Sequence, residues 1–114
     1  GHVTLDDSRV GCRRSHSQAQ VWGDRLFCCG GLDPIHSSLR CRIVESYDLN
    51  SWHPQLHTPM QSPRSMHATA VVQGKLFAVG GNDGIQHLSS VECLDLEQER
   101  LGKGKWNFIN RMAV

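Results

Sequence analysis

The stretch with the most distinctive chemistry is Arg40-Cys41-Arg42. Two guanidinium groups flanking a thiol stabilise the thiolate and make the sulfur reactive toward oxidants or electrophiles, so Cys41 is the redox-sensitive candidate. His53 and His57 are the next pair with ligand character. On an extended strand their spacing separates them by about 13 Å, too far for one ion with ~2 Å bonds. No Cys-x-x-Cys accompanies them, so neither a metal nor a cofactor is expected. Phosphate-loop, nucleophile-elbow and zincin patterns are absent, and no catalytic residue is expected. The remaining chemistry is hydrogen bonding and ion pairing. Asp33, His36, Arg40 and Arg42 in one polar stretch, and Asn82, Asp83, Gln86 and His87 in another, are the contact candidates, because loops carry function while strands are held by the scaffold.

The elements that position these stretches repeat. Arg25-Leu26-Phe27-Cys28-Cys29-Gly30-Gly31 returns fifty residues later as Lys75-Leu76-Phe77-Ala78-Val79-Gly80-Gly81, and the same offset superposes Arg14 on Arg64, Val21 on Val71 and Asp33 on Asp83. A period of this size signals a solenoid, propeller or array. Within each copy the apolar pattern shortens to strands. Residues 16–22 and 25–29 form a hairpin about Gly23-Asp24, where glycine accepts a positive φ. Residues 43–48 give a third strand, and 52–56 a fourth that contains Pro54 and so belongs at the sheet edge. Residues 66–72, 75–79, 90–94 and 106–109 repeat the set. A charged insertion, Glu97 to Lys103, separates the last two. The expected organisation is a linker over 1–13, one repeat over 14–60 and a second over 61–114.

Composition narrows the classes. A formal net charge of +1 supplies no field for nucleic acid or an anionic membrane. No apolar run approaches the ~18 residues of a membrane helix. The five cysteines are an odd number without paired spacing, which argues for a reducing, cytoplasmic setting rather than a disulfide framework. Two units are fewer than the roughly three that a repeat array needs for a continuous core, so the pattern predicts further units.

Four short strands per unit, a double glycine after the second, an aromatic or apolar residue in the third and a tryptophan in the fourth resemble the kelch repeat. The resemblance runs from Arg14 to Met112 and rests on Leu76-Phe77-Ala78-Val79-Gly80-Gly81, Val91-Glu92, Trp106 and Met112, which the first copy echoes. It implies an all-β fold: two four-stranded antiparallel kelch blades, a partial β-propeller. In this reading Gly30, Gly31, Tyr47, Trp52, Gly80, Gly81 and Trp106 are structural repeat positions. Leu94 stands where Tyr47 stands, and Trp106 lies further beyond Leu94 than Trp52 does beyond Tyr47.

The resemblance also implies a function. Kelch chains are protein-interaction modules, many of them substrate-recognition parts of cullin-type ubiquitin ligase adaptors that carry an N-terminal BTB domain, while others bind or crosslink actin. Some sense stress through cysteines, the role in which Cys41 is placed. Loops after the second and fourth strands emerge at one end of an antiparallel blade, so 32–42, 57–66 and 82–89 are expected to share the partner-binding face. Charges recurring inside apolar strands, Arg14 with Arg64 and Glu45 with Glu92, are expected to form ion pairs, since buried charge persists only when paired. Uncovered blade faces are a further expected route to self-association.

Overall fold

The computed structural model describes residues 16–33, 35–36 and 39–109; Cys12, Arg14 and Met112, and with them the linker at 1–13, lie outside that range. Eight strands form two antiparallel sheets in simple chain order. The first holds β1 (Gln18–Trp22), β2 (Arg25–Cys29), β3 (Val44–Asp48) and β4 (Pro54–Leu56). The second holds β5 (Ala68–Val72), β6 (Lys75–Val79), β7 (Val91–Asp95) and β8 (Trp106–Ile109), with the short helix α1 (Leu96–Arg100) between β7 and β8. Each opening hairpin closes as expected: Gly23 and Gly74 have φ of 62° and 75°, which a glycine adopts without steric cost.

Register explains the apolar pattern. Side chains alternate across a strand, and in the first sheet Phe27, Cys29 and Val44 share the face that meets the second sheet, which contributes Leu76, Ala78, Leu94, Trp106 and, from α1, Leu96. Met60, in the linker between the sheets, is buried in the same cluster, with Trp22 and Val71 at its margin. The core is therefore the seam between two sheets rather than the inside of either. Phe27 and Phe77 make the point, being equivalent in sequence: Phe27 is buried beneath the second sheet, and Phe77 is only partly buried. On that same outward face of the second sheet Val72, Val79 and Ile109 are exposed. The first sheet's other face is not bare, because Cys28, Glu45 and Tyr47 are all buried.

One strand and the charged insertion depart from the sequence expectation. The fourth begins at Pro54 rather than Trp52, and it is Pro54 that pairs with Tyr47, as Trp106 pairs with Leu94. Trp52 lies in the preceding turn, with φ of 59° and 46% exposure. Asp48 sets that turn: its Oδ1 accepts from the amides of Asn50 and Ser51 at 2.8 and 3.0 Å, an Asx arrangement that holds residues 49–52 out of the ladder. In the second sheet the charged insertion is partly helical. Asp95 caps it, accepting from Gln98 N at 3.0 Å, which satisfies one of the free amides of the first turn.

Candidate functional site

The loop end of the molecule is pinned by one buried arginine. Arg64 precedes β5, is fully buried, and donates from Nε and Nη2 to Glu92 Oε2 at 3.2 and 3.0 Å. Its Nη1 donates to the carbonyls of Gly80 and Ser90 at 2.8 and 3.0 Å, and Nη2 also reaches Ser90 Oγ. Glu92 in turn accepts from the Gln61 and Ser62 amides at 2.6 and 3.1 Å. An ion pair survives burial only with its remaining donors and acceptors satisfied, and this one ties the β4–β5 linker to both ends of the β6–β7 loop. The Arg64 backbone does the same for the first sheet. Its carbonyl accepts from Gly31 N at 2.7 Å and its amide donates to Cys41 O at 3.1 Å. Gly30 must be glycine for this approach, since a Cβ there, at φ 68°, would stand 2.4 Å from the Arg64 carbonyl oxygen.

Three loops are thereby gathered. The β2–β3 loop and the β4–β5 linker enclose an open groove of about 590 Å³ lined by Asp33, Leu39, Arg40, Arg42, Leu56 and Gln61, among others. Leu39 and Leu56 are 54% and 64% exposed, an apolar surface beside two guanidinium groups. The β6–β7 loop adjoins it: the positive charge of Arg40 is one of the influences on Asp83.

The expected contact residues separate into two kinds. Asp33 is buried, and its Oδ1 accepts from the amides of Ile35 and His36 at 2.8 and 3.0 Å. Asp83 repeats the device, accepting from Ile85 and Gln86 amides at 2.8 Å each; these hydrogen bonds hold its carboxyl below the ordinary value. Asn82 Oδ1 takes the Gly84 amide. These three shape loops, which is why Asp33 and Asp83 recur at the repeat spacing. Arg42, His36, Gln86 and His87 are exposed, and Arg42 with the half-buried Arg40 borders the groove. Cys41 also lines the groove but is only 6% exposed. Among the described residues no cluster of metal-ligating side chains occurs, and no helix is long and apolar enough to cross a membrane.

A second constellation, not anticipated from sequence as a site, lies on the seam. His57 Nδ1 is 2.9 Å from Glu99 Oε2 on α1, and His57 Nε2 is 2.6 Å from Ser46 Oγ. Arg25 Nε donates to that same Ser46 oxygen at 2.8 Å. Glu99 is held by Thr58, whose hydroxyl and amide donate at 2.7 and 3.1 Å. Burial lowers the His57 pKa, against the pull of Glu99. Burial raises that of Glu99, but the bonds from Thr58 and His57 outweigh it and keep the carboxyl below its usual value. A neutral imidazole beside a carboxylate must donate from Nδ1, so Nε2 accepts from the serine hydroxyl. The order serine, histidine, carboxylate is that of a hydrolase relay. Ser46, however, is 0% exposed, and no substrate carbonyl reaches its oxygen in this conformation.

The second sheet carries the decisive likeness: residues 63–113 match the family model of the kelch motif. The chain belongs to the kelch-repeat family. Its relatives include mouse Kelch-like protein 8, 38% identical over 71 residues, which covers 61% of this chain and 11% of that protein. Human Kelch domain-containing protein 1 is 26% identical over 98 residues, 84% of this chain and 24% of the relative. The mouse influenza virus NS1A-binding protein homolog is 38% identical over 52 residues, 46% of this chain and 8% of the relative. The chain thus spans from under a tenth to about a quarter of these relatives.

Each sheet is a kelch blade, and the pair is part of a β-propeller. The repeat positions acquire physical roles here. Gly30 admits the next blade's Arg64 carbonyl, and Gly81 admits Ser65 and His67, since a Cβ on it would lie 2.6 Å from Ser65 O. Trp106 is buried and donates from Nε1 to Thr58 O at 2.8 Å, fastening the second blade's outer strand to the linker. Trp52 has no such place. His67 is a buried residue that pattern reading passed over, and among the described residues neither of its ring nitrogens finds a hydrogen-bond partner. Its position in β5's approach, three residues after the blade's arginine, is visible in the sequence; its burial depends on Gly30 and Gly81 and is not.

Proposed function

We propose that this blade pair forms part of a partner-recognition surface, and that the partner seats on the groove between the β2–β3 loop and the β4–β5 linker. The observation that carries the reading is the groove itself: exposed Leu39 and Leu56 flanked by Arg40 and Arg42, where the β2–β3 loop meets the linker between the blades. Arginine beside apolar surface is the composition of energetically important interface centres. His36 extends the contact on the β2–β3 loop, which Asp33 shapes, and Asn82, Asp83, Gln86 and His87 extend it across the β6–β7 loop. The finer role we assign is substrate recognition in the cytoplasm for a cullin-type ubiquitin ligase, by analogy with kelch chains carrying a BTB domain. A relative named for binding NS1A supports protein binding in general. Cys41, on the groove wall, places a thiol where modification would alter the docking surface.

The test uses the full-length protein carrying Arg40→Ala, Arg42→Ala, Asn82→Ala and His87→Ala together. Partner recovery is expected to fall at least tenfold while cullin recovery is unchanged. Unchanged partner recovery overturns the face assignment. Absence of cullin from the wild-type complex, with co-sedimentation on actin filaments, would replace the ligase role by the cytoskeletal one.

A further inference from the structure

The turns that shape the β2–β3 and β6–β7 loops each display an apolar side chain. Asp33 and Asp83 are followed two residues later by Ile35 and Ile85, which therefore recur at the same fifty-residue offset. Both stand in solvent, 63% and 93% exposed. A single exposed isoleucine is ordinary. Two at the same place in successive blades are a pattern, and the turn does not account for it. Each Asp carboxylate uses only the backbone amide of the isoleucine, at 2.8 Å in both loops, a bond that any residue with an N–H would make.

The same loops hold the backbone beneath these side chains in place. In the first, Leu39 N donates to His36 O at 2.8 Å and Asp33 N to Leu39 O at 3.0 Å, which ties the exposed Leu39 to the Ile35 turn. In the second, Asp83 N donates to Gln86 O at 3.2 Å, and Asn82 Oδ1 takes the Gly84 amide at 2.6 Å. Isoleucine is stiff at χ1. A stiff side chain on a backbone already fixed has little freedom left to lose when it is covered, which favours binding. The charges around it cancel. Arg40 and Arg42 are offset by Asp33 and Asp83, and Arg64 is spent on Glu92. These loops, taken with Glu92, therefore carry no net formal charge when histidine is neutral, and exert no long-range preference for a partner of either sign. What they offer is apolar area: Ile35 and Ile85, with Leu39 and Leu56 at the groove.

We propose that the partner docks an apolar patch of no net charge across the β2–β3 and β6–β7 loops, with Ile35 and Ile85 as its anchors. The proposal rests on the reading of this end as a partner surface, and adds what the partner presents to it. The probe is a phage-displayed library of random peptides, selected on the full-length protein; the enriched peptides are then made and titrated by calorimetry. They are expected to carry paired large apolar side chains and no net charge. Their affinity should change less than twofold between ~0.05 and ~0.5 M salt, over which the reach of a surface charge shortens about threefold. Ile35→Ser with Ile85→Ser keeps both amides, and so both turns, and should weaken binding at least tenfold with an unchanged thermal midpoint. Ile35→Val with Ile85→Val should keep most of the affinity. Arg40→Ala with Arg42→Ala separates the two readings. Loss on the arginine changes but not on the serine changes overturns the isoleucine anchors and leaves the groove standing; loss on the serine changes alone keeps the anchors and removes the groove. No enriched peptide, an acidic consensus, or binding that disappears in high salt would also overturn the proposal.

Discussion

Arg64 and Glu92 are both fully buried and meet through two hydrogen bonds, 3.2 and 3.0 Å, to a single carboxylate oxygen. The second Glu92 oxygen is taken by backbone, and the rest of the guanidinium by the Gly80 and Ser90 carbonyls and the Ser90 hydroxyl, so the pair is a junction of three chain segments. Removing one partner strands the other. Arg64→Met alone or Glu92→Leu alone is expected to cost ~3–5 kcal/mol, and the combined replacement markedly less than the sum of the two. Urea denaturation of the four proteins measures the coupling; additive losses would mean that the two residues act separately.

His67 gives the fold an acid limit. Burial, with the Arg64 charge as a smaller influence, lowers its pKa to about 4 from an ordinary 6.5. The unfolded chain therefore binds a proton that the folded chain refuses across that window. The stabilisation is complete above pH 6.5, and it declines as pH falls toward 4, by up to ~3 kcal/mol. His67→Leu should remove this slope. Because neither ring nitrogen is hydrogen-bonded among the described residues, it should also raise stability at neutral pH, by about 1 kcal/mol. Thermal midpoints between pH 4 and 7.5 for both proteins would show it; parallel curves would exclude His67 as the origin.

Two glycines with similar dihedrals should respond differently. Gly23 and Gly30 have φ of 62° and 68°, but a Cβ on Gly23 meets open space, and one on Gly30 meets the Arg64 carbonyl at 2.4 Å. Gly23→Ala should cost about 1–2 kcal/mol, the left-handed backbone penalty alone. Gly30→Ala should cost at least twice that, because two blades must separate to admit it. Equal shifts in the unfolding midpoint would put the whole effect in the backbone.

Glu99 fastens α1 to the first blade through His57 and Thr58. Glu99→Ala leaves three donors without their acceptor, a loss on the order of 2 kcal/mol. Hydrogen exchange is expected to quicken at least tenfold at the Thr58 amide and in α1, while the β2 and β6 amides keep their protection. Uniform acceleration would instead indicate global destabilisation.

These contacts mark the boundary of what the sequence discloses. Hairpins, double glycines and the charges at Arg64 and Glu92 are legible because each is a local or periodic requirement: a turn, a close approach, a buried ion pair. The Asp95 cap with Gln98 three residues on and Gly102 beyond was a readable helix signal inside what otherwise looks like a charged insertion. Trp52 misleads because matching tryptophans by type ignores the Asp48 turn, which hands the register position to Pro54. The recurrence of Asp33 at Asp83 is a sign of turn making, since each carboxylate takes two amides of its own loop. The link between His57 and Glu99 carries no pattern, since it joins residues from different units and depends on the angle at which two sheets meet.

That angle has a wider meaning. Each sheet presents two unlike faces, and the one that holds Phe27, Cys29 and Val44 in the first sheet is the one that leaves Val79 exposed in the second. Addition of sheets is therefore directional, head to tail, as in a polymer with a growing end. Such a contact does not limit itself in number. What sets the number of subunits in the series is the wedge between neighbours, so mutations at the Gly30 and Arg64 contact act on curvature as well as on stability, and a change of a few degrees there decides whether the series can meet its own beginning.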